Sequence, residues 1–237
     1  MSSIKFTAII PARLGSKGIK NKNIIPFLNV PLLTHSINFS KKLSFVNQVI
    51  VSTDSKKYAN IARKAGAQVP FLRSKLASKD TSMEEDVLND IKKNCYKKKY
   101  SINKYILWLR PTSPLRDVES FKKAYDLFCK KKKSVLICAK TESRIFFEKK
   151  GKLIPFLSIM KKRSMVRRQE LPLAYKIFYG ELFKIPKIIN KSYLGKIKYF
   201  IEQPKICSLD IDSINDLKLY EKYIINNKKI FARFLHI

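Results

Sequence analysis

Short apolar runs alternate with amphipathic stretches along the first 140 residues, and this alternation constrains the fold more than any other feature. Residues 4–11 form the first apolar run, and residues 58–65 place their apolar side chains at the spacing of one helix face. Strands that alternate with helices in this way form a mainly parallel sheet with helices on both faces. We therefore predict an α/β fold. The other predicted strands are 47–53, 103–109 and 134–139, and the other predicted helices contain 87–95 and 121–128.

The alternation stops after residue 140. Residues 141–170 are basic, show no clear period and contain no obvious helix. An irregular segment between core strands is often an arm that covers a site or a neighbouring subunit. We therefore expect one domain over residues 1–237, with a dimerisation or substrate-covering insertion at residues 141–190.

Regular patterns return in the last third of the chain. Residues 174–185 and 196–201 are typical of strands, and residues 214–225 have helical spacing. Asp212 and Ser213 directly precede the helical stretch and are residue types that cap helix N-termini. We predict a final helix that begins after this pair.

The charge of the chain is strongly positive, since 50 Lys and Arg residues against 18 Asp and Glu give +32. Such a charge suggests nucleic-acid binding. However, 40 of the basic residues are Lys and only 10 are Arg, whereas base recognition favours the forked guanidinium of Arg. We therefore do not expect nucleic acid as a partner, although a basic surface attracts small polyanionic substrates.

Several other protein classes are excluded by simple patterns. The apolar runs are far shorter than the roughly 20 residues of a membrane-spanning helix. The chain starts on a strand pattern rather than a signal peptide, so we expect a cytoplasmic protein without a membrane partner. The cysteines at 95, 129, 138 and 207 form no CxxC pair, which argues against a zinc site and a disulfide framework.

A basic, glycine-containing loop follows the first strand. Its sequence, PARLGSKGIKNKN at residues 11–23, contains Arg13, Lys17 and Lys22. Ligands of open α/β sheets bind at the carboxyl ends of strands, and a glycine-rich turn there aims backbone N–H groups at an anion. The loop matches neither a Walker A motif nor the dinucleotide motif. It is suited to a triphosphate, although a solvated turn remains an alternative for the loop by itself.

Six segments together narrow the function further. They are IIPARLGSKGIKNKNI at 9–24, VSTDS at 51–55, FLRSKLASKDTS at 71–82, LRPTSPLRD at 109–117, RRQELPLAY at 167–175 and SLDIDSINDL at 208–217. In this order they resemble the signatures of the acylneuraminate cytidylyltransferases, also called CMP-sialic acid synthetases. The resemblance spans nearly the whole chain and implies a Rossmann-like nucleotidyltransferase sheet.

The resemblance implies an enzyme that joins CTP to a nine-carbon 2-keto sugar acid and releases pyrophosphate. The phosphates and ribose of CTP would contact the glycine-containing loop, and the cytosine would contact the third segment. For Arg73, an ion pair with Asp80 is the alternative role. The CTP-binding residues implied in this way are Arg13, Ser16, Lys17, Lys22, Asn23, Arg73, Thr81 and Ser82.

Asp210 and Asp212 are the implied ligands of a catalytic Mg²⁺. On a strand, side chains at i and i+2 point the same way, so the two carboxylates would converge. Mg²⁺ commonly combines one or two carboxylates with substrate phosphate and water. The alternative is that Asp212 only caps the following helix. With Arg13 and Lys22, the two aspartates are the candidate catalytic residues, and either the metal or a carboxylate would deprotonate the attacking hydroxyl.

The remaining signatures imply a sugar site. A forked guanidinium suits the carboxylate of the sugar acid, and Arg168 matches the family signature for it. Tyr175 and Phe183 would form walls for the acyl groups, although aromatic residues at such spacing are more often core. The full implied set is Arg110, Thr112, Ser113, Arg168, Tyr175 and Phe183.

Three departures from the family pattern lie on the sugar side. Arg110 stands where many members carry glutamine, and the usual Asn-Gly is replaced by Phe178-Tyr179-Gly180 with one extra residue. Residues 144–147 also lack the expected proline and downstream lysine. N-acetylneuraminic, pseudaminic and legionaminic acids therefore all remain candidate substrates.

Three alternatives to this function remain open. One is a cytidylyltransferase for 3-deoxy-manno-octulosonate, the eight-carbon keto acid of lipopolysaccharide, which shares the fold and chemistry. A second is a basic nucleic-acid-binding protein, whose affinity would fall steeply with salt. A third is an inactive relative that binds CTP, against which the aspartate pair argues. The resemblance also implies a homodimer, in which the 141–190 segment extends toward the partner.

Overall fold

The computed structural model describes residues 4–16, 18–161, 163 and 165–237 of the protein. In this described part the chain forms ten strands, six of which build a central sheet. The strands are β1 (Phe6–Pro11), β2 (Pro26–Phe27), β3 (Val30–Pro31), β4 (Val46–Ser52), β5 (Tyr105–Trp108), β6 (Ser134–Thr141), β7 (Phe146–Lys149), β8 (Lys152–Pro155), β9 (Ala174–Lys184) and β10 (Lys198–Glu202).

The central sheet has the strand order β10-β6-β9-β5-β1-β4. Its neighbouring strands are parallel, except that β9 is antiparallel to both β5 and β6. The four strands predicted in the first 140 residues correspond to β1, β4, β5 and β6. The prediction of a mainly parallel α/β sheet is therefore confirmed. The other strands pair as two hairpins, β2-β3 and β7-β8.

The helices flank this sheet, and their starts follow local capping rules. Ser55 and Asp117 accept hydrogen bonds from backbone N–H groups at the starts of α2 and α4, and Ser213 forms a capping box with Asp216 at the start of α6. In the described residues, no helix combines the length and apolarity needed to cross a bilayer. The helices are α1 (Leu32–Lys41), α2 (Lys56–Lys64), α3 (Glu84–Lys97), α4 (Val118–Lys131), α5 (Ser158–Lys161), α6 (Ile214–Asn226) and α7 (Lys228–Phe231).

Side chains of alternate strand residues pack on opposite faces of the sheet. In β1, Ala8 and Ile10 join the core cluster that contains Phe121 of α4, whereas Ile9 joins the cluster that contains Ile91 of α3. This two-residue period is the geometry of a strand that is buried on both faces. Burial on both faces explains why β1 is a continuous apolar run. The loop that follows β1 therefore starts at the carboxyl edge of the sheet.

Helix α1 has no counterpart among the predicted helices. Its buried side includes His35, Ser36 and Ser40, so polar residues interrupt the apolar stripe that would have indicated a helix. Two of these side chains have partners nearby in the chain. His35 Nε2 lies 3.0 Å from the carbonyl oxygen of Phe27, and the Ser40 hydroxyl donates to the carbonyl of Ser36 at 2.8 Å.

The insertion predicted at residues 141–190 needs narrower boundaries. Residues 174–184 form β9, which lies between β5 and β6 in the central sheet and is therefore part of the core fold. The part outside the sheet is the hairpin β7-β8 and the residues that connect it to β6 and β9. It also contains the short helix α5, although no helix was expected there.

Strand β9 contains a bulge near the middle of the sheet. Gly180 pairs with Ile137 of β6 and Lys176 pairs with Ala139, so three residues of β9 lie opposite one residue of β6. Phe178 in this bulge has a positive φ of 85°. Gly180 packs against the ring of Phe121, where an added Cβ would lie 2.7 Å from ring atoms.

Gly180→Ala should therefore destabilise the protein by about 1–3 kcal/mol, because the new methyl overpacks the core beside Phe121. The measurement is urea unfolding of the variant and of the wild type. Phe121→Leu makes room for the methyl, so the double variant should lose less stability than the two single losses added together. Strictly additive losses would show that the two side chains do not compete for the same space.

Candidate active site

A cavity of about 620 Å³ opens at the carboxyl ends of β1 and β5. Ligand sites of open α/β sheets usually lie at this edge. Three stretches of chain and one residue near the C-terminus surround the cavity. Its lining consists of Pro11, Arg13, Gly15, Ser16, Gly18, Lys22, Asn23, Arg73, Asp80, Ser82, Met83, Glu84, Val87, Trp108, Arg110, Pro111, Thr112 and Asp212.

The loop after β1 forms one wall of the cavity and is held in place from two sides. The backbone N–H of Leu14 donates to the Asp54 carboxylate at 2.8 Å, which gives the VSTDS segment a structural role. The Asn23 amide donates to the carbonyl of Arg13 at 2.9 Å. Arg13, Ser16, Lys22 and Asn23 line the cavity as predicted, whereas Lys17 lies outside the described residues.

The loop touches the segment around Asp212 directly. Lys22 Nζ lies 2.9 Å from Asp212 Oδ1, and an added Cβ on Gly18 would lie 2.8 Å from the Asp212 carbonyl oxygen. Glycine is therefore required at position 18 for this approach. The structure thus places the basic loop and one of the two predicted metal ligands in one cavity.

Asp210 and Asp212 do not lie on a strand, so that part of the prediction is wrong. The last strand of the chain is β10, and residues 208–212, before α6, belong to no strand or helix. A backbone hydrogen bond of 2.9 Å from Ile211 N–H to the Thr112 carbonyl holds this segment beside the loop after β5. The aspartates are thus positioned by that loop and by α6, whose Asp216 accepts from the Asp212 N–H at 3.2 Å.

The two aspartates differ in their surroundings. Asp210 Oδ2 pairs with Lys176 Nζ at 3.0 Å, while its Oδ1 is buried and has no hydrogen-bond partner. Asp212 is largely exposed and pairs with Lys22. A buried carboxylate oxygen without a partner is costly, and a cation would satisfy it. The donor set therefore fits Mg²⁺, which takes few protein carboxylates and completes its shell with phosphate and water.

Arg73 lies at the base of the cavity and is almost fully buried. Its Nε and Nη2 donate to the hydroxyl and carbonyl of Ser52 at 3.0 and 2.6 Å, and burial lowers its pKa to about 10. Asp80 forms an ion pair with Arg13, at 2.5 Å, whereas the carboxylates that favour the charged form of Arg73 are Asp54 and Asp90, which raise its pKa against burial. Of its predicted neighbours, Ser82 lines the cavity and Thr81 does not.

Arg110 lies at the other side of the cavity, between two carboxylates. Its Nη1 donates to Glu181 Oε1 at 2.6 Å and its Nη2 donates to Glu84 Oε1 at 2.7 Å. Burial would lower the pKa of Arg110, but Glu181 and Glu84 outweigh burial and raise it. Burial raises the pKa of the Glu181 carboxyl, an effect that Arg110 opposes.

The other predicted sugar residues are scattered. Thr112 lines the cavity, whereas Ser113 is buried beneath it. Arg168 is exposed on a single turn of 3₁₀ helix in the insertion, and Tyr175 contacts the ring of Phe200, with the ring centroids 4.9 Å apart. Neither residue lines the cavity in this chain.

Phe183 cannot form a wall of the sugar site, so that prediction is wrong. Its side chain is fully buried in β9 and packs edge-on against Tyr193, with the ring centroids 5.3 Å apart. Successive strand residues face opposite sides of a sheet, and Phe183 belongs to the core cluster under α3. The core alternative for this aromatic residue is the correct one.

Sequence reasoning missed three charged residues of this region. Lys176 pairs with Asp210; burial would lower its pKa, but Asp210 raises it overall. Glu84 and Glu181 hold Arg110 from α3 and from β9. Arg110 is 26 residues from Glu84 and 71 from Glu181, so no local motif signals these pairs.

Comparison with known proteins gives a consistent result. A sequence model described as "Cytidylyltransferase" matches residues 7–233. The chain is 29% identical over 238 residues to a pseudaminic acid cytidylyltransferase of Campylobacter jejuni, covering 96% of this chain and 100% of the relative. It is 35% identical over 124 residues to an N-acylneuraminate cytidylyltransferase of Escherichia coli O18:K1:H7, covering 52% of this chain and 28% of the relative.

A solved structure resembles the fold. It is that of a CMP:2-keto-3-deoxy-manno-octonic acid synthetase complexed with CTP, and it aligns with this chain with a TM-score of 0.65. The alignment covers 94% of this chain and 99% of that chain. At 12% identity this likeness concerns the fold alone.

Proposed function

The chain belongs to the cytidylyltransferase family, and we propose that it joins CTP to a nine-carbon 2-keto sugar acid, giving a CMP-sugar and pyrophosphate. The family confirms the predicted enzyme class, a nucleotidyltransferase. The observation that carries the proposal is the shared cavity, in which the basic loop after β1 meets Asp212. CTP is made in the cytoplasm, so we propose that the enzyme works there.

The proposed reaction is an in-line displacement at the α-phosphorus of CTP. The anomeric hydroxyl oxygen of the sugar acid forms the new P–O bond, and the bond to the β-phosphate oxygen breaks. Pyrophosphate leaves with that electron pair, while the hydroxyl proton passes to a base. Negative charge grows on the phosphate oxygens, so positioning and electrostatic stabilisation account for most of the catalysis.

The loop after β1 is the proposed triphosphate site. Arg13 and Lys22 carry positive charge into the cavity, and Ser16 adds a hydroxyl donor. Lys17 belongs to the same proposed set. Asn23 stabilises the loop through the Arg13 carbonyl, and its contact with the nucleotide remains part of the proposal.

Asp210 and Asp212 are the proposed holders of one Mg²⁺, which would neutralise phosphate charge and make the attacking hydroxyl more acidic. Lys176 pairs with Asp210 and Lys22 pairs with Asp212, so each carboxylate has a cationic neighbour. Lys22 belongs to the loop and lines the cavity, so its ammonium group is placed to contact a phosphate oxygen as well as Asp212. Arg73, Thr81 and Ser82 are the proposed cytosine contacts.

The proposed sugar acid is pseudaminic acid or a close relative, because the relative with that name aligns over 96% of this chain and over its own full length. N-acetylneuraminic and legionaminic acids are the other nine-carbon candidates, and 3-deoxy-manno-octulosonate is the eight-carbon alternative. Arg168 is the proposed partner of the substrate carboxylate, since a guanidinium binds a carboxylate through two hydrogen bonds. Thr112, Ser113 and Tyr175 complete the proposed sugar contacts.

Asp212→Asn should reduce kcat for CMP-sugar formation by at least about 100-fold, because several kcal/mol of charge stabilisation at the phosphates would be lost. The measurement is pyrophosphate release from CTP, Mg²⁺ and each keto sugar acid in turn, with product masses determined by mass spectrometry. The wild-type protein should give the CMP ester of at least one nine-carbon sugar acid.

Two further variants serve as controls for this experiment. Asp126→Asn removes an exposed carboxylate on α4 that does not line the cavity, and it should leave kcat unchanged. Arg168→Ala should raise the KM of the sugar acid and leave CTP binding intact. Undiminished pyrophosphate release by Asp212→Asn would contradict the proposed role of the carboxylate pair.

We also propose that the protein is a homodimer, joined through the part of the 141–190 segment that lies outside the sheet. That part exposes several large apolar side chains, which are commonly covered by a partner in the native assembly. They include Leu153, Phe156, Met165 and Leu173. Many Lys and Arg residues surround them, as expected at the polar rim of an interface.

Sedimentation equilibrium at micromolar concentration should show a dimer. The double variant Leu153→Glu/Phe156→Glu should shift the protein to monomer at an unchanged melting temperature, because these side chains do not belong to the core clusters. Tyr96→Glu, on the exposed face of α3, is the matched control and should stay dimeric. A monomeric wild type would rule out this assembly.

A further inference from the structure

We propose that Glu84 accepts a hydrogen bond from a neutral substituent of the sugar acid, a hydroxyl or an acylamino group, and that Arg110 acts as a positioning residue for Glu84. This inference rests on the proposed function and names a contact within the same cavity. It gives Arg110 an indirect role in place of direct binding to the substrate.

The guanidinium of Arg110 already has partners for its donors. It donates to Glu181 and Glu84 at 2.6 and 2.7 Å, and more weakly to the Phe178 carbonyl at 3.4 Å. Only 18% of its side chain is exposed, and the Glu181 side chain is almost completely buried. A substrate carboxylate would have to break one of these short, charge-assisted hydrogen bonds to reach Arg110.

The bulge in β9 adds a further contact to this arrangement. Phe178 has its ring centroid 4.6 Å from the Arg110 guanidinium carbon, within the range of a cation–π contact. Phe178 adopts a positive φ, which is rare for a large side chain and indicates that the surroundings hold it there. The two departures from the family pattern, at Arg110 and at Phe178-Tyr179-Gly180, therefore form one structural unit.

The charge balance at this end of the cavity disfavours an anion. One guanidinium lies between two carboxylates, and Glu84 lines the cavity with 28% of its side chain exposed. A second carboxylate next to Glu84 would be repelled, whereas an N–H or O–H donor would be attracted. The sugar carboxylate is therefore better placed elsewhere, as the proposed role of Arg168 requires.

Two buried polar atoms in or beside the cluster of Arg110, Glu84 and Glu181 have no hydrogen-bond partner among the described residues. They are Oε2 of Glu181 and the indole N–H of Trp108, and Trp108 lines the cavity. These residues lie opposite each other on β9 and β5. Buried polar groups are normally satisfied, so the unpaired N–H of this cavity-lining residue favours a polar ligand group here. Hydroxyl and acylamino groups each offer a donor for a carboxylate and an acceptor for this N–H.

The test compares Glu84→Gln and Arg110→Lys with the wild type. Each variant is assayed with CTP and with whichever of pseudaminic, legionaminic and N-acetylneuraminic acids the wild type converts. Both should raise the KM of the sugar acid about tenfold and change the KM of CTP by less than about twofold. Lysine at 110 keeps the charge, but its single ammonium group cannot bridge both carboxylates.

Glu85→Gln is the matched control, because it removes the same charge from the first turn of α3 without altering the cavity lining. It should change neither KM value, and melting curves identify any variant that fails to fold. A higher KM for CTP in Glu84→Gln would assign Glu84 to the nucleotide and overturn the inference. Unchanged KM values in Glu84→Gln would overturn it as well.

The same assay separates this inference from the function on which it rests. If the wild type forms a CMP-sugar and Glu84→Gln behaves like the wild type, the proposed function stands and the inference fails. If the wild type forms no CMP-sugar with any of the three acids, the proposed function fails and the inference fails with it.

Discussion

The contact between the loop after β1 and the segment before α6 is the constraint on which the active site depends. It joins residues 190 positions apart through the Lys22–Asp212 ion pair and through the close approach of Gly18 to the Asp212 backbone. An exposed ion pair contributes little stability by itself. The backbone bond from Ile211 to Thr112 and the capping box of α6 add the rigidity that keeps the carboxylate near the loop.

The reversed strand β9 makes the second contribution to the site. It lies between β5 and β6, and it carries Lys176 to Asp210 and Glu181 to Arg110. The bulge within the same strand brings Phe178 onto Arg110. One antiparallel strand in a parallel sheet thus supplies charged side chains to both the proposed metal site and the proposed sugar site.

Local signals predicted those parts of the protein that local physics determines. The apolar period revealed β1, β4, β5, β6 and the helices with an apolar stripe, but not α1, whose buried His35 interrupts it. The glycines and charges of the first loop predicted a ligand site at the edge of the sheet where the cavity opens. The ion pairs of Arg110 with Glu84 and Glu181, and the burial of Phe183, depend on contacts between residues far apart in the chain. No local spacing in the sequence indicates such contacts.

The most direct test of the central claim is a crystal structure of the protein with CTP and Mn²⁺, which replaces Mg²⁺ and scatters X-rays anomalously. The account predicts an anomalous peak in contact with Asp210 and Asp212, and a triphosphate along the loop that contains Arg13 and Lys22. A peak remote from both aspartates, or a triphosphate outside the cavity that Gly18 and Asp212 share, would contradict it.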